Sequence, residues 1–365
     1  MLVDVSTGGT LLFTVVVGLR FLVPLLIPLY PLPAVVASLV LDAADQSIFH
    51  AFGYNPPHYQ NYDKAMDVYY LAIAYVSTLR NWTSRSAYGV ARFLFFYRLV
   101  GVTAFELSGW RALLLIFPNT FEYFFIAYEV VRTRRDPVRY TRRFWIWVAA
   151  VIWVVVKLPQ EWWIHVAQLD FTDELKAHPW LGPTIVVALL IAGAVYWWYV
   201  RPRLSAPDWR FRLVADPIPA DMATWQQRAD WTAANSSVLS ATTAEKVLLV
   251  GLISVIYSLA LPGLKATTWQ LFAGISALVV VNAAISTWGA RLRVGADTAL
   301  VAFVVRVAIN VAFAVTGRLL LGGGRMNLSA ALFFVAMLSL LTLLHDRYLP
   351  VHAVRGARDD RAAAY

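Results

Sequence analysis

Asp42 and Asp45 stand three positions apart, and Asp63 and Asp67 four apart, within residues 42–67 of an otherwise apolar chain. Each spacing puts its pair on one face of a helix. A helical hairpin that brings the pairs together makes a set of hard oxygen donors suited to a divalent cation, Mg or Mn. Asp42, Asp45, Asp63 and Asp67 are therefore the expected metal ligands. His50 and His58, in the same stretch, can add a nitrogen ligand or an acid/base group. A plainer reading competes: Asp42 closes one helix in water and Asp63 opens the next, where the helix dipole favours negative charge.

Further ionisable residues fall inside apolar runs, where each unpaired charge costs about 2.5–3.5 kcal/mol. Glu106 and Arg98 are eight apart on one face, and Pro118-Asn119-x-x-Glu122 reads as a proline-broken turn whose freed carbonyls line a cavity. Lys157, Glu161 and His165 form a stripe around Pro159, in which Lys157 and Glu161 are expected to neutralise each other. The acid/base candidates are His50, Asp67, Glu106, Glu122 and Glu161. Arg92 and Glu129 fall near span ends and are expected to snorkel. Arg20 and Arg306 lie deep without a sequence-local partner, so each calls for a carboxylate across the bundle or a lipid phosphate. No Ser-His-Asp arrangement, phosphate-cradling glycine loop or HExxH is found.

The elements that must position these groups follow from composition. Of 365 residues, 59% are hydrophobic and only 15% charged, with a mean hydropathy of +0.60. Repeated apolar runs of about 20 residues define an all-α, polytopic membrane helix bundle. About eleven transmembrane helices are expected, near 9–30, 33–50, 65–80, 87–107, 110–131, 143–165, 181–200, 244–262, 268–289, 296–316 and 327–346. The first two form a hairpin turned by Pro28, Pro31 and Pro33. Tryptophans and tyrosines at span ends (Trp110, Trp162, Trp163, Trp180, Trp197, Trp198, Tyr199) read as interfacial anchors.

Arginines crowd the loops after the fifth, seventh and ninth spans and follow the last, which assigns that side to the cytoplasm. The N-terminus is then outside, the C-terminus cytoplasmic, and the aspartate cluster outward in a plasma membrane. The net charge of +9 reflects these loops and calls for no nucleic-acid partner. Cysteine is absent, which excludes disulfides and thiolate metal sites. No cleavable signal peptide is evident in a start that carries Asp4 and no basic region.

By polarity the chain divides into 1–180, a polar-residue-rich half with the candidate site, 181–200, a connecting helix, and 201–243, a cytoplasmic linker with a short helix. An apolar scaffold, 244–346, and a cytoplasmic tail, 347–365, complete it. The tail from Arg355 is expected to be disordered. No internal repeat is detected, which disfavours an inverted-repeat transporter.

The aspartate spacing, with eighteen positions between Asp45 and Asp63, resembles the D-x2-D-G-x2-A-R-x8-G-x3-D-x3-D skeleton of the CDP-alcohol phosphotransferases. The resemblance implies that Asp42, Asp45, Asp63 and Asp67 bind metal at a helix hairpin and that Asp67 acts as the base. The rest of the motif departs: Gln46 and Tyr59 replace its glycines, and Phe49-His50 its Ala-Arg. Both replacements crowd the space a nucleotide would need. The likeness covers residues 42–67 alone, and that family's CDP-linked substrates are cytoplasmic whereas this loop reads as external.

Three functions stay open. An enzyme would act on a lipid- or isoprenoid-linked phosphate substrate drawn from the membrane lipids, with a divalent metal on the phosphate. An ion- or proton-coupled transporter or channel would relay charge through Glu106, Glu122, Lys157 and Glu161. A non-catalytic subunit would dock a partner membrane protein, or another copy of the chain, through its apolar half.

Overall fold

The computed structural model describes residues 3–54, 59–167, 169, 171–203, 206–260, 268–293, 295, 298–321 and 328–362. His58 of the sequence expectation, and residues 363–365 of the tail, lie outside these.

The first hairpin forms where prolines require it. Helix α1 (Val3–Leu22) runs through a 3-10 turn, Val23–Leu26, into α2 (Pro31–Ala51), with Pro31 at a helix start where its missing N–H costs nothing. Helix α3 (Tyr59–Asn81) follows, then α4 (Arg85–Ser108), capped by Ser84 at its start and by Gly109, with φ +69°, at its end. A short α5 (Ala112–Ile116) and α6 (Thr120–Arg132) make one span broken at Pro118-Asn119.

Helix α7 (Arg142–Val151) passes into a π turn, Ile152–Lys157, a single α turn, α8 (Leu158–Glu161), and a second π turn, Trp162–Val166. Pro159 lacks the N–H that a regular ladder needs there, and the chain widens on both sides of it. After α9 (Phe171–Ala177) and α10 (Leu181–Val195), the linker carries α11 (Trp225–Asn235), closed by a Thr224–Gln227 capping box. Four long helices complete the bundle: α12 (Ala241–Ala260), α13 (Thr268–Leu292), α14 (Ala299–Leu321) and α15 (Leu328–Ala362).

The chain is all-helical and of multi-pass membrane type. Eight helices among the described residues are long and apolar enough to cross a membrane. Helices α1, α3 and α4, expected as spans, are not among them; the apolar run of α1, Leu11–Leu26, is too short, and packing explains α3. It is buried on every side from Val68 to Asn81 and packs against α1, α2, α4, α12 and α15, so its polar groups there meet protein rather than lipid. The anchoring aromatics Trp110, Trp162, Trp180, Trp197, Trp198 and Tyr199 are exposed on the bundle surface.

The two ends of α3 define the two ends of the molecule. Asp63 and Asp67 mark one; at the other, Arg80 and Asn81 donate to the Pro28 carbonyl at 2.6 and 3.2 Å. This second end holds the linker, which is clamped rather than free: Arg139 pairs with Asp208 at 2.9 Å, Arg212 with Asp216 at 3.0 Å, and the Ala215 N–H meets the Leu29 carbonyl.

Two expectations are corrected here. The chain from Arg355 to Ala362 is helical, not disordered, because Arg355 is buried and donates to the carbonyls of Asn81, Asp216 and Pro217. Glu129 does not snorkel. It is fully buried, accepting from Trp82 Nε1 at 2.9 Å and from Arg132 Nε at 2.6 Å, while Trp82 stacks on Tyr128 at 3.8 Å. Arg92, near its span end as expected, is held by Glu245 at 2.8 Å.

Gly101 decides how close the broken span approaches α4. A Cβ there would fall 2.1 Å from Phe117 Cβ, so only glycine lets the α5–α6 junction lie against the helix. Gly101→Ala is expected to displace Phe117 and lower stability by about 1–3 kcal/mol, as overpacking does. Thermal unfolding of the purified protein in detergent reads this, and an unchanged midpoint would refute the tight approach.

Candidate functional site

Helices α1, α2 and α3 meet around one side chain. The Arg20 guanidinium of α1 pairs with all four aspartates: with Asp42 and Asp45 of α2 in close contact, with Asp63 at 2.7 Å and with Asp67 at 2.8 Å. Tyr59 adds a hydroxyl donor to Asp45, which is fully buried. Neither pair is a helix cap. Helix α2 continues to Ala51, beyond Asp42 and Asp45, and α3 begins at Tyr59, a turn before Asp63.

The hairpin therefore brings the two aspartate pairs together, as their spacing anticipates, with Arg20 as the group that joins them. Ligand oxygens of Asp42, Asp63 and Asp67 lie within 4.8 Å of one another, which suits them to share a cation. Asp45 stands apart from that trio, committed to Arg20 and Tyr59. His50 is exposed on the last turn of α2 and does not line the cavity beside the trio.

That cavity, of about 550 Å³, extends from Asp42, Asp63 and Asp67 to the other acid/base candidates, Glu106, Glu122 and Glu161, and is also lined by Arg98, Arg111 and Lys157. Glu122, buried on the first turn of α6, accepts from the Tyr70 hydroxyl and from Asn119 Nδ2 at 2.8 Å, and lies 3.6 Å from Lys157 Nζ. Glu161 accepts from the Asn119 backbone N–H at 3.1 Å and lies 3.9 Å from Arg98. Glu106 pairs with Lys64 at 3.0 Å.

The helix break does what an interrupted membrane span can do. Its freed Phe117 carbonyl accepts from Arg98 at 2.8 Å, and its freed Asn119 N–H serves Glu161. Asn119 Oδ1 lies in the cavity wall, shielded from solvent and without a hydrogen-bond partner. Lys157, at the end of the first π turn, sits 4.0 Å over the Tyr123 ring and reaches across to Glu122. Lys157 and Glu161 thus each engage a second helix, beyond the mutual neutralisation their spacing suggests.

Sequence reading missed four lining or supporting residues: Tyr59, Lys64, Tyr70 and Arg111. Tyr70 was legible, since Asp63, Asp67 and Tyr70 follow one stripe of α3 at i, i+4 and i+7. Lys64 and Arg111 carry no such signal.

No family model, curated protein or solved structure matches the chain. The likeness to the CDP-alcohol phosphotransferases accordingly rests on the aspartate spacing alone.

Arg20 pairs with four carboxylates, one of them fully buried. Arg20→Gln is expected to cost about 3–5 kcal/mol, the loss that follows when one partner of a buried ion pair is removed. The thermal midpoint in detergent measures it, and a variant as stable as the parent would remove Arg20 from the centre of the site.

Proposed function

We propose that the chain is a multi-pass membrane enzyme acting on a lipid- or isoprenoid-linked phosphate with the help of a divalent metal ion, Mg or Mn. The observation that carries this reading is the juxtaposition of the Asp42, Asp63 and Asp67 oxygens with a cavity whose wall also holds Arg98, Arg111 and Lys157. Three carboxylates suit a hard cation, and three basic groups suit an anionic substrate in the same space. The Arg20 guanidinium lies among these acids and is the group a bound cation would displace. The metal, when bound, would polarise a phosphoryl oxygen and offset its charge.

The chain's own residues then divide the remaining work. Arg98 and Lys157 would orient the phosphate, Asn119 Oδ1 would accept from a substrate N–H or O–H, and Glu122 would move a proton, steadied by Tyr70. Glu106 and Glu161 supply further acid/base groups at the cavity wall. Asp63→Asn and Asp67→Asn are each expected to weaken Mn²⁺ binding about tenfold or more, followed by electron paramagnetic resonance on the purified full chain. Unchanged Mn²⁺ affinity in both variants would sink the metal-assisted reading.

A second reading is ion- or proton-coupled transport. It is favoured by the succession Tyr70, Glu122, Asn119 and Glu161, in which each group is hydrogen-bonded to the next. That reading expects Glu122→Gln to change proton flux in liposomes while Asp63→Asn has little effect; the enzyme reading expects no flux from either protein.

Both readings put the aspartate end of the bundle outside a plasma membrane. Native cysteine is absent, and Phe52 is exposed just beyond α2. A Phe52→Cys variant is expected to react with a membrane-impermeant maleimide on intact cells. Reaction only after lysis would invert the topology and put the cavity mouth in the cytoplasm, where CDP-linked substrates occur.

A further inference from the structure

A second cavity, of about 580 Å³, lies at the linker end of the bundle, between α11 and helices α12 to α15. Its lining residues include none of those around the aspartate cavity. Four basic residues line it, Arg228, Lys246, Arg306 and Arg347, against one carboxylate, Asp346. Asp346 is already shared, pairing with Lys246 at 2.7 Å and with Arg306 at 2.9 Å. The Ser286 hydroxyl holds Arg306 Nη2 at 2.7 Å, while Arg306 Nη1 is shielded from solvent and has no hydrogen-bond partner. A buried guanidinium nitrogen left unsatisfied calls for an acceptor.

Beside Arg306, the α14 flank of the cavity is apolar and partly exposed. Val301 and Val305 of α14 line the cavity and are also about half exposed on the bundle surface, beside exposed Leu300 and Val304. Along that helix, facing side chains would meet lipid. Trp225 and Trp231 of α11 also line the cavity. The cavity thus combines basic groups with an apolar, partly exposed flank on α14.

We propose that this cavity binds the phosphate headgroup of an anionic bilayer phospholipid, with its acyl chains along α14. The shared chemistry is a phosphate accepting from Arg306 Nη1 in a field set by Arg228, Lys246 and Arg347. A free phosphate would satisfy the same donors but would leave the apolar flank at Val301 and Val305 without a purpose. The site is independent of the metal-assisted reading of the aspartate cavity.

Native mass spectrometry of the full chain in detergent tests this, with phosphatidylglycerol, phosphatidylcholine and inorganic phosphate as the probes. Phosphatidylglycerol is expected to bind at least about fivefold more tightly than phosphatidylcholine, and Arg306→Gln and Arg347→Gln each to weaken it about fivefold, the effect of one basic residue near a lipid surface. Ala302→Phe, which fills the cavity beside the charges, is expected to weaken both lipids together. Equal binding of the two lipids would overturn the proposal, as would displacement of phosphatidylglycerol by inorganic phosphate alone, which would assign the site to a free anion. Should Arg306→Gln fail to fold after losing its contact with Asp346, Arg347→Gln decides, and full phosphatidylglycerol affinity in that variant refutes the site.

Discussion

One guanidinium surrounded by four carboxylates fixes the aspartate end of the molecule. Arg20 reaches Asp42 and Asp45 on α2 and Asp63 and Asp67 on α3, so a single side chain sets the register of three helices. In a low-dielectric setting neither sign of charge is tolerable alone, and each is held by the other. The four acids nonetheless exceed the one base when all are ionised. Tyr59 eases the crowding only at Asp45, the acid that stands apart from the trio.

From this cluster α3 carries the order through the bundle. Its tyrosines each reach a different neighbour: Tyr69 the Phe21 carbonyl of α1, Tyr70 the Glu122 carboxylate of α6, and Tyr75 the Glu245 carboxylate of α12. A regular α5–α6 span would keep its backbone groups to itself. The break at Pro118-Asn119 releases them to Arg98 and Glu161, and the π turns around Pro159 carry Lys157 and Glu161 to the same wall. The cavity is polar because two irregular spans face each other there, and the groups freed at Pro118-Asn119 are met by Arg98 of α4 and by Glu161.

Spacing alone foretold that Asp42, Asp45, Asp63 and Asp67 meet, because i, i+3 and i, i+4 pairs at a hairpin have few other places to go. It also foretold that Arg20 and Arg306 need partners across the bundle, but not which, since helix neighbours are set by packing. Reading went astray where burial overrides local pattern. Glu129 seemed free to snorkel only while Trp82 and Arg132 were unplaced. The last residues seemed a loose tail because nothing local shows that Arg355 fits among three carbonyls. Helix α3, expected as a span, falls short by hydropathy, and from Val68 to Asn81 it is buried among other helices.

Helix α12 joins the two polar systems. It runs antiparallel to α3: Tyr257 near its end donates to the Ala65 carbonyl beside the aspartates, while Glu245 near its start accepts from Tyr75. The adjacent residues Glu245 and Lys246 face different partners, Glu245 toward Tyr75 and Arg92, and Lys246 toward Asp346 and the basic cavity. A charge held at the basic cavity is thus one residue from the carboxylate that braces the middle of α3. The sequence segment that reads as an inert apolar scaffold is, on this packing, the buttress of the polar site.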